Sequence, residues 1–274
     1  MKPGILLPIC AAIASAAFGA TVFVSPSKAA MAAEIAHVPT EHVRVMQHVA
    51  PKPETNWRSR THRIPAGATV VALTFDDGPT AHTGPMLDAL AARGVSATFF
   101  TTGRNVNNFP EIAARIVDEG HEIACHGHNH PLMTQMSEVE VRLQLINSRN
   151  AVSEATGGAA MTLFRPPYGA HNNTVRMAAE DNGMALVLWS IDTFDWRDRD
   201  VETIVSRVIG ANGRPRVEDG DIILMHDTMP TSVAAAGRII DALQQNGVYV
   251  VTVTQLFEIT GQPLVPGRVH NNAR

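Results

Sequence analysis

From Ile64 to about Thr260, short apolar runs alternate with longer segments whose apolar residues recur every three or four positions. The short runs predict strands at 69–75, 96–102, 121–125, 162–165, 185–191, 221–226 and 248–253. The periodic segments predict helices at 83–93, 110–119, 137–156, 172–182, 200–211, 232–246 and 254–260. Gly94, Gly120, Gly157, Gly183 and Gly247 stand where five of these helices should stop, as a left-handed cap prefers. Runs such as Val70-Val71-Ala72-Leu73 are apolar without alternation, the mark of a strand covered on both faces. Strand and helix alternating about seven times specify an α/β fold on a parallel sheet, open or closed into a barrel.

The flanks read differently. Lys2 precedes an apolar, Ala-rich stretch from Ile5 to Val24, and small residues follow at Gly19-Ala20 and Ala29-Ala30. Residues 1–33 therefore read as an export signal, with an uncleaved N-terminal anchor as the alternative, because the stretch is nearly long enough to span a bilayer. Pro8 and Ile9 before Cys10 argue against lipidation there. Residues 34–63, with Pro39, Pro51 and Pro53, read as a linker, and residues 261–274 as a flexible tail. The expected compartment is periplasmic, extracellular or at the cell envelope. Cys10 and Cys125 are the chain's two cysteines, so the exported body would carry no internal disulfide. The formal charge is −4, and the first 33 residues hold Lys2 and Lys28 but no acid, leaving a more acidic remainder. That balance argues against a nucleic-acid partner, which usually requires a basic face.

Chemistry gathers where the predicted strands end. The first finishes in Thr74-Phe75-Asp76-Asp77-Gly78-Pro79, with two adjacent carboxylates that on an alternating strand face different neighbours. The third runs into His126-Gly127-His128-Asn129-His130-Pro131; Gly127 and Pro131 put His126 and His130 on a loop rather than a helix, with His128 aimed elsewhere. With 12 histidines in the chain, that spacing alone carries little weight. Phe164-Arg165-Pro166-Pro167-Tyr168-Gly169 follows the fourth strand; it is a rigid turn whose N–H could serve an oxyanion and whose arginine could pair with a carboxylate. Asp192-Thr193-Phe194-Asp195-Trp196 follows the fifth, where aromatic rings suit either sugar or core, as does Trp189. The sixth ends in Leu224-Met225-His226-Asp227, and His226 alone would suit a structural role as well as a catalytic one. Each cluster has an ordinary structural reading as a turn or a core residue. Five of them, in order, on the same end of a parallel sheet do not share one easily. Asp77, His126 and His130 together suit a hydrolytic zinc-type site with a position open for water. The chain contains neither His-Glu-x-x-His nor Gly-x-Ser-x-Gly, which disfavours a zinc protease and a serine esterase.

In this order "TFDDGP", "HGHNHP", "RPPYG", "DTFDW" and "LMH" resemble the five motifs of the polysaccharide deacetylases, also called NodB-homology or carbohydrate esterase family 4 enzymes, over residues 64–260. The resemblance implies a distorted, incomplete (β/α) barrel and metal-dependent removal of acetyl groups from N-acetylglucosamine-containing glycans such as peptidoglycan or chitooligosaccharide. It implies Asp76 as general base, Asp77, His126 and His130 as metal ligands, and Arg165 as the partner of Asp76. It further implies the Tyr168 N–H as oxyanion donor, Asp195 as the group orienting the general acid His226, and Trp196 and Leu224 as the wall against the acetyl methyl. Zinc is the expected ion, and the donor set also accepts cobalt, nickel or manganese. The implied partner is an acetylated glycan, with a membrane involved only if the N-terminal segment stays as an anchor. Two rival readings are an O-acetyl esterase on xylan-like polymers and a non-catalytic glycan-binding protein of the same fold. The chain departs from the pattern at Gly127, where Ser or Thr usually supplies a hydroxyl to the loop, and at Cys125, where Asn is usual. Loss of the hydroxyl is expected to loosen the metal loop, and Cys125 is expected to be buried in its strand.

Overall fold

A computed structural model describes residues 64–274, so the export segment and the linker expected at 1–33 and 34–63 lie outside the described residues. Nine strands are present among them: β1 (Val70–Asp76), β2 (Thr98–Thr101), β3 (Glu122–Cys125), β4 (Leu163–Phe164), β5 (Ala185–Val187), β6 (Ile191–Asp192), β7 (Ile222–His226), β8 (Tyr249–Val251) and β9 (Val269–His270). The helices are α1 (Thr83–Ala91), α2 (Gly103–Asn108), α3 (Pro110–Asp118), α4 (Glu138–Thr156), α5 (Asn173–Asp181), α6 (Asp195–Asp198), α7 (Val201–Val208), α8 (Pro230–Gln245) and α9 (Val253–Thr260). Strands pair in the order β6-β7-β1-β2-β3-β4-β5-β9, all in parallel, and β8 pairs the first half of β1. This curled parallel sheet with its helices is the incomplete (β/α) barrel. No helix among the described residues is long and apolar enough to cross a membrane.

Alternation along β1 sorts the core into two layers. Val71, Leu73 and Phe75 pack with helix residues such as Leu87, Ile116 and Ile240. Val70 and Ala72 face the barrel interior with Phe100, Ala124, Leu163 and Ile222. The predicted glycine stops are sound: all five have positive φ, and Gly157 closes α4 in the left-handed conformation.

The structure corrects the expected single strand at 185–191. Its first half, β5, pairs β4 and β9, and its second, β6, pairs β7 at the far end of the sheet. One stretch of chain thus crosses the barrel opening. A physical reason is in its carbonyls, because the Arg165 guanidinium donates to Val187 O (2.9 Å) and Leu188 O (2.7 Å), taking both out of any ladder.

The tail expected to be flexible at 261–274 is also corrected. Leu186 and Leu188 donate to Arg268 O and His270 O, and the Ala273 N–H reaches Gly220 O (2.9 Å). Ala273 itself is buried in the interior layer. Helix 200–211 stops early at Val208, where Ile209 and Pro215 form an antiparallel bridge around Asn212-Gly213.

Candidate active site

Parity along the strands explains which side chains meet. Ala124, Leu163 and Ile222 face the interior, and the interior positions one or two steps further along are His126, Arg165, Leu224 and His226. Thr74 and Asp76 continue the same face of β1 beyond Ala72. All these residues emerge where the parallel strands end, the usual place for function in such a sheet.

Asp76 and Arg165 form a buried pair at 2.7 Å, with Arg165 0% exposed. Its Nη1 also donates to Thr74 Oγ1 (2.8 Å), and its plane lies over the Phe100 ring at 4.0 Å. Burial pushes the guanidinium below its usual range, and Asp76 opposes that push. Asp76 Oδ1 is committed to Arg165, while Oδ2 lies 3.7 Å from His126 Nε2.

Strict alternation would send Asp77 to the opposite face. Instead β1 ends at Asp76, and Asp77 takes φ 76°, which turns its carboxylate back to the same opening. Such a conformation costs a non-glycine residue roughly 1–2 kcal/mol. Asn105 Nδ2 holds it by donating to Asp77 O at 2.7 Å. Behind the turn lies Asp227, fully buried, accepting from Thr83 Oγ1 and pushed up to about 7 chiefly by burial. A β-carbon on Gly78 would sit inside the Asp227 carboxylate. Gly78→Ala is therefore expected to cost about 1–3 kcal/mol, as overpacking does. Thermal unfolding measures that cost, and an unchanged midpoint would contradict the tight seating.

Asp77 Oδ1 stands 3.4 Å from His126 Nε2 and 3.3 Å from His130 Nε2. All three atoms lie within 4.8 Å of one another. Ligands about 2.0–2.1 Å from a tetrahedral zinc would be roughly 3.3–3.4 Å apart, so the spacing fits. Asp77 Oδ1 is also buried with no hydrogen-bond partner among the described residues. Arg165 O lies 2.7 Å from His126 Nδ1; a carbonyl can only accept, so the proton sits on Nδ1 and the Nε2 lone pair faces the trio. Burial, then neighbouring His126, push His130 downward, toward the neutral form that ligates. Burial raises the Asp77 carboxyl, but the neighbouring histidines, His126 first and then His226 and His130, outweigh it and hold it at about 2. Cys125 is buried in the helix-side core, as expected, and accepts from the Gly127 N–H at 3.4 Å.

Across the opening, His226 Nδ1 lies 2.8 Å from Asp195 Oδ1. Asp195 is 0% exposed, and its Oδ2 accepts from the His226 N–H and from Ser232 Oγ (2.6 Å). Burial opposes charge on His226, yet Asp195, followed by Asp76 and Asp77, raises it to about 9. Leu224 is buried on the same interior face, and Trp196, 48% exposed, stands on α6 with its N–H donating to Asp195 Oδ1 (3.0 Å). Tyr168 takes φ 63° in the turn after β4; the residue is 67% exposed, and its ring packs edge-on against His130 at 4.7 Å. Trp189 packs under that turn, close to Gly169. Sequence reasoning passed over Thr74, Ser232 and Asn105. A buried Ser in the core-facing pattern of α8 was the one readable signal among them.

The chain is similar in sequence to known proteins. The family description Polysaccharide deacetylase matches residues 63–187. The chain is 40% identical over 213 residues to the peptidoglycan-N-acetylmuramic acid deacetylase PdaC of Bacillus subtilis, covering 77% of this chain and 44% of that protein. It thus spans less than half the length of that relative. It is 34% identical over 207 residues to the chitooligosaccharide deacetylase of Sinorhizobium fredii, covering 70% of this chain and 94% of that one. Among solved structures, a T48 deacetylase with substrate superposes with a TM-score of 0.69 at 35% identity, over 75% of this chain and 98% of that one.

Proposed function

Because this chain belongs to the polysaccharide deacetylase family, we propose that it hydrolyses N-acetyl groups of peptidoglycan or chitooligosaccharide and releases acetate. One observation carries the reading: the Asp77, His126 and His130 trio lies between two buried ion pairs, Asp76 with Arg165 and Asp195 with His226. The peptidoglycan and chitooligosaccharide in the relatives' names support the substrate class. Those names and the apolar segment at 5–24 support action outside the cytoplasm.

Asp77, His126 and His130 would hold a divalent ion, zinc first, with cobalt, nickel or manganese also suited. When bound it supplies a Lewis acid for the acetamide carbonyl and lowers the pKa of water. The chain's own groups do the rest. Asp76 takes the proton of the attacking water at Oδ2, because Oδ1 is occupied by Arg165. The Tyr168 N–H donates to the oxyanion, presented by its left-handed turn. His226, its Nδ1 committed to Asp195, gives the proton on Nε2 to the leaving amine. Leu224 and Trp196 wall the acetyl methyl.

Acetate release by the full chain from N-acetylglucosamine oligomers, peptidoglycan and acetylated xylan tests the reading. Release from either of the first two is expected. Preference for xylan would reassign the chain as an O-acetyl esterase, and no release with metal bound would leave a glycan-binding protein.

The alkaline limb of kcat/KM should belong to His226. Its folded-state value is raised to about 9, so the proton is present at neutral pH and lost as pH climbs through that value. The pair's contribution to stability follows the same sign, full below the ordinary histidine value of about 6.5 and lost on rising through the folded one. Asp195→Asn removes the principal raising cause, and the limb should move to lower pH. A limb that stays in place in the pH–rate profile would remove His226 as the acid.

A further inference from the structure

The two imidazoles of the trio belong to one loop, 126–130, and its backbone shows what fixes their separation. The Gly103 and Arg104 N–H groups at the start of α2 donate to Gly127 O and His128 O, each at 3.0 Å. The Gly127 N–H goes to Cys125 Sγ. Two further donors of the loop, the N–H groups of His128 and Asn129, converge on a single acceptor, Gln144 Oε1, at 2.9 Å each. Gln144 comes from the second turn of α4, a helix fixed by the capping box of Ser137 and Glu140 and closed at Gly157. Gly127, inside the same loop, takes φ 78°, and a β-carbon there would meet Met133 Cε at 2.5 Å.

We propose that Gln144 is a positioning residue for the metal centre, its amide oxygen holding the loop so that His126 and His130 stay at ligating separation. The loop's backbone groups are thereby shared between two rigid elements, α2 for the carbonyls and α4 for the N–H groups. The loosening expected from the missing hydroxyl at 127 is offset by an acceptor sixteen residues downstream of His128. The inference rests on the reading that His126 and His130 hold the ion.

Gln144→Met keeps length and helix propensity but removes the acceptor, whereas Gln144→Glu keeps an oxygen that can take both N–H groups. Zinc affinity of the full chain is measured by chelator competition, alongside hydrogen exchange of amides 127–130 in the metal-free protein. Gln144→Met should bind zinc about 10–100-fold more weakly, the usual effect of removing an outer partner of a ligand. Its exchange at 128 and 129 should be faster, and its kcat should recover at saturating zinc. Gln144→Glu should stay near wild-type affinity. Wild-type affinity in Gln144→Met would overturn the inference, as would a Gln144→Glu protein as weak as Gln144→Met. A wild-type protein that binds no zinc would instead overturn the metal reading beneath it. Should Gln144→Met fail to fold by thermal unfolding, Gln144→Ala takes its place in the same comparison.

Discussion

Replacing Asp76 with Asn is expected to lower kcat by about 10²–10⁴-fold, the usual worth of a positioned general base. The substitution is nearly isosteric and should preserve the site. Asn can turn its carbonyl oxygen to Arg165 Nη1, which also keeps its bond to Thr74, and the Arg165 bonds to Val187 and Leu188 come from Nε and Nη2. What disappears is the basic lobe at Oδ2, the one facing His126 and the trio. Bound metal should therefore stay close to wild-type while acetate release falls. Arg165 does lose its counter-charge in a fully buried place, so some loss of stability accompanies the change. Steady-state kinetics with metal analysis on the same sample separates these effects. A variant with wild-type kcat would remove Asp76 from the chemistry.

Replacing Arg165 with Met should have the largest effect on folding, about 3–5 kcal/mol, because it strands a buried carboxylate. A domain of this size loses roughly 2–4 °C per kcal/mol, so a midpoint some 10 °C lower is expected. Two structures fail together. Asp76 loses its partner, and Val187 O and Leu188 O lose the donors that let 185–192 cross from one end of the sheet to the other. Adding Asp76→Leu to Arg165→Met should recover part of the loss, since a neutral pair no longer buries a lone charge. Thermal unfolding of the two singles and the double reads this coupling. Unchanged stability in Arg165→Met would show that the pair holds neither the base nor the seam.

The strand ends were legible because each is written locally: an apolar run, then polar residues, then a Gly or Pro. Five such endings on parallel strands place Asp76, His126, Arg165, Asp195 and His226 near one another without any knowledge of angles. The crossing at 185–192 was not legible, since Ala-Leu-Val-Leu-Trp-Ser-Ile is an uninterrupted apolar run and its break depends on an arginine some twenty residues earlier. The C-terminal strand β9 was hidden for a similar reason. Two residues of ladder leave no period to read, and Ala273 is held by distant contacts with Gly220. Asp77 defeated alternation because its left-handed backbone is stabilised by Asn105 and packed against Asp227, both remote in sequence. Gln144 sits among ordinary helix formers, and nothing in its neighbours marks it as an acceptor for the histidine loop.

Acetate release from an N-acetylglucosamine oligomer, followed while the metal-stripped full chain is titrated with zinc, tests the central assignment most directly. The expected result is no release without metal, then release that rises with bound zinc and levels at one equivalent per chain. The same titration of Asp77→Ala should give neither tight binding nor activity. Acetate released by the stripped protein, or full activity in Asp77→Ala, would contradict a reaction that depends on an ion held by Asp77, His126 and His130.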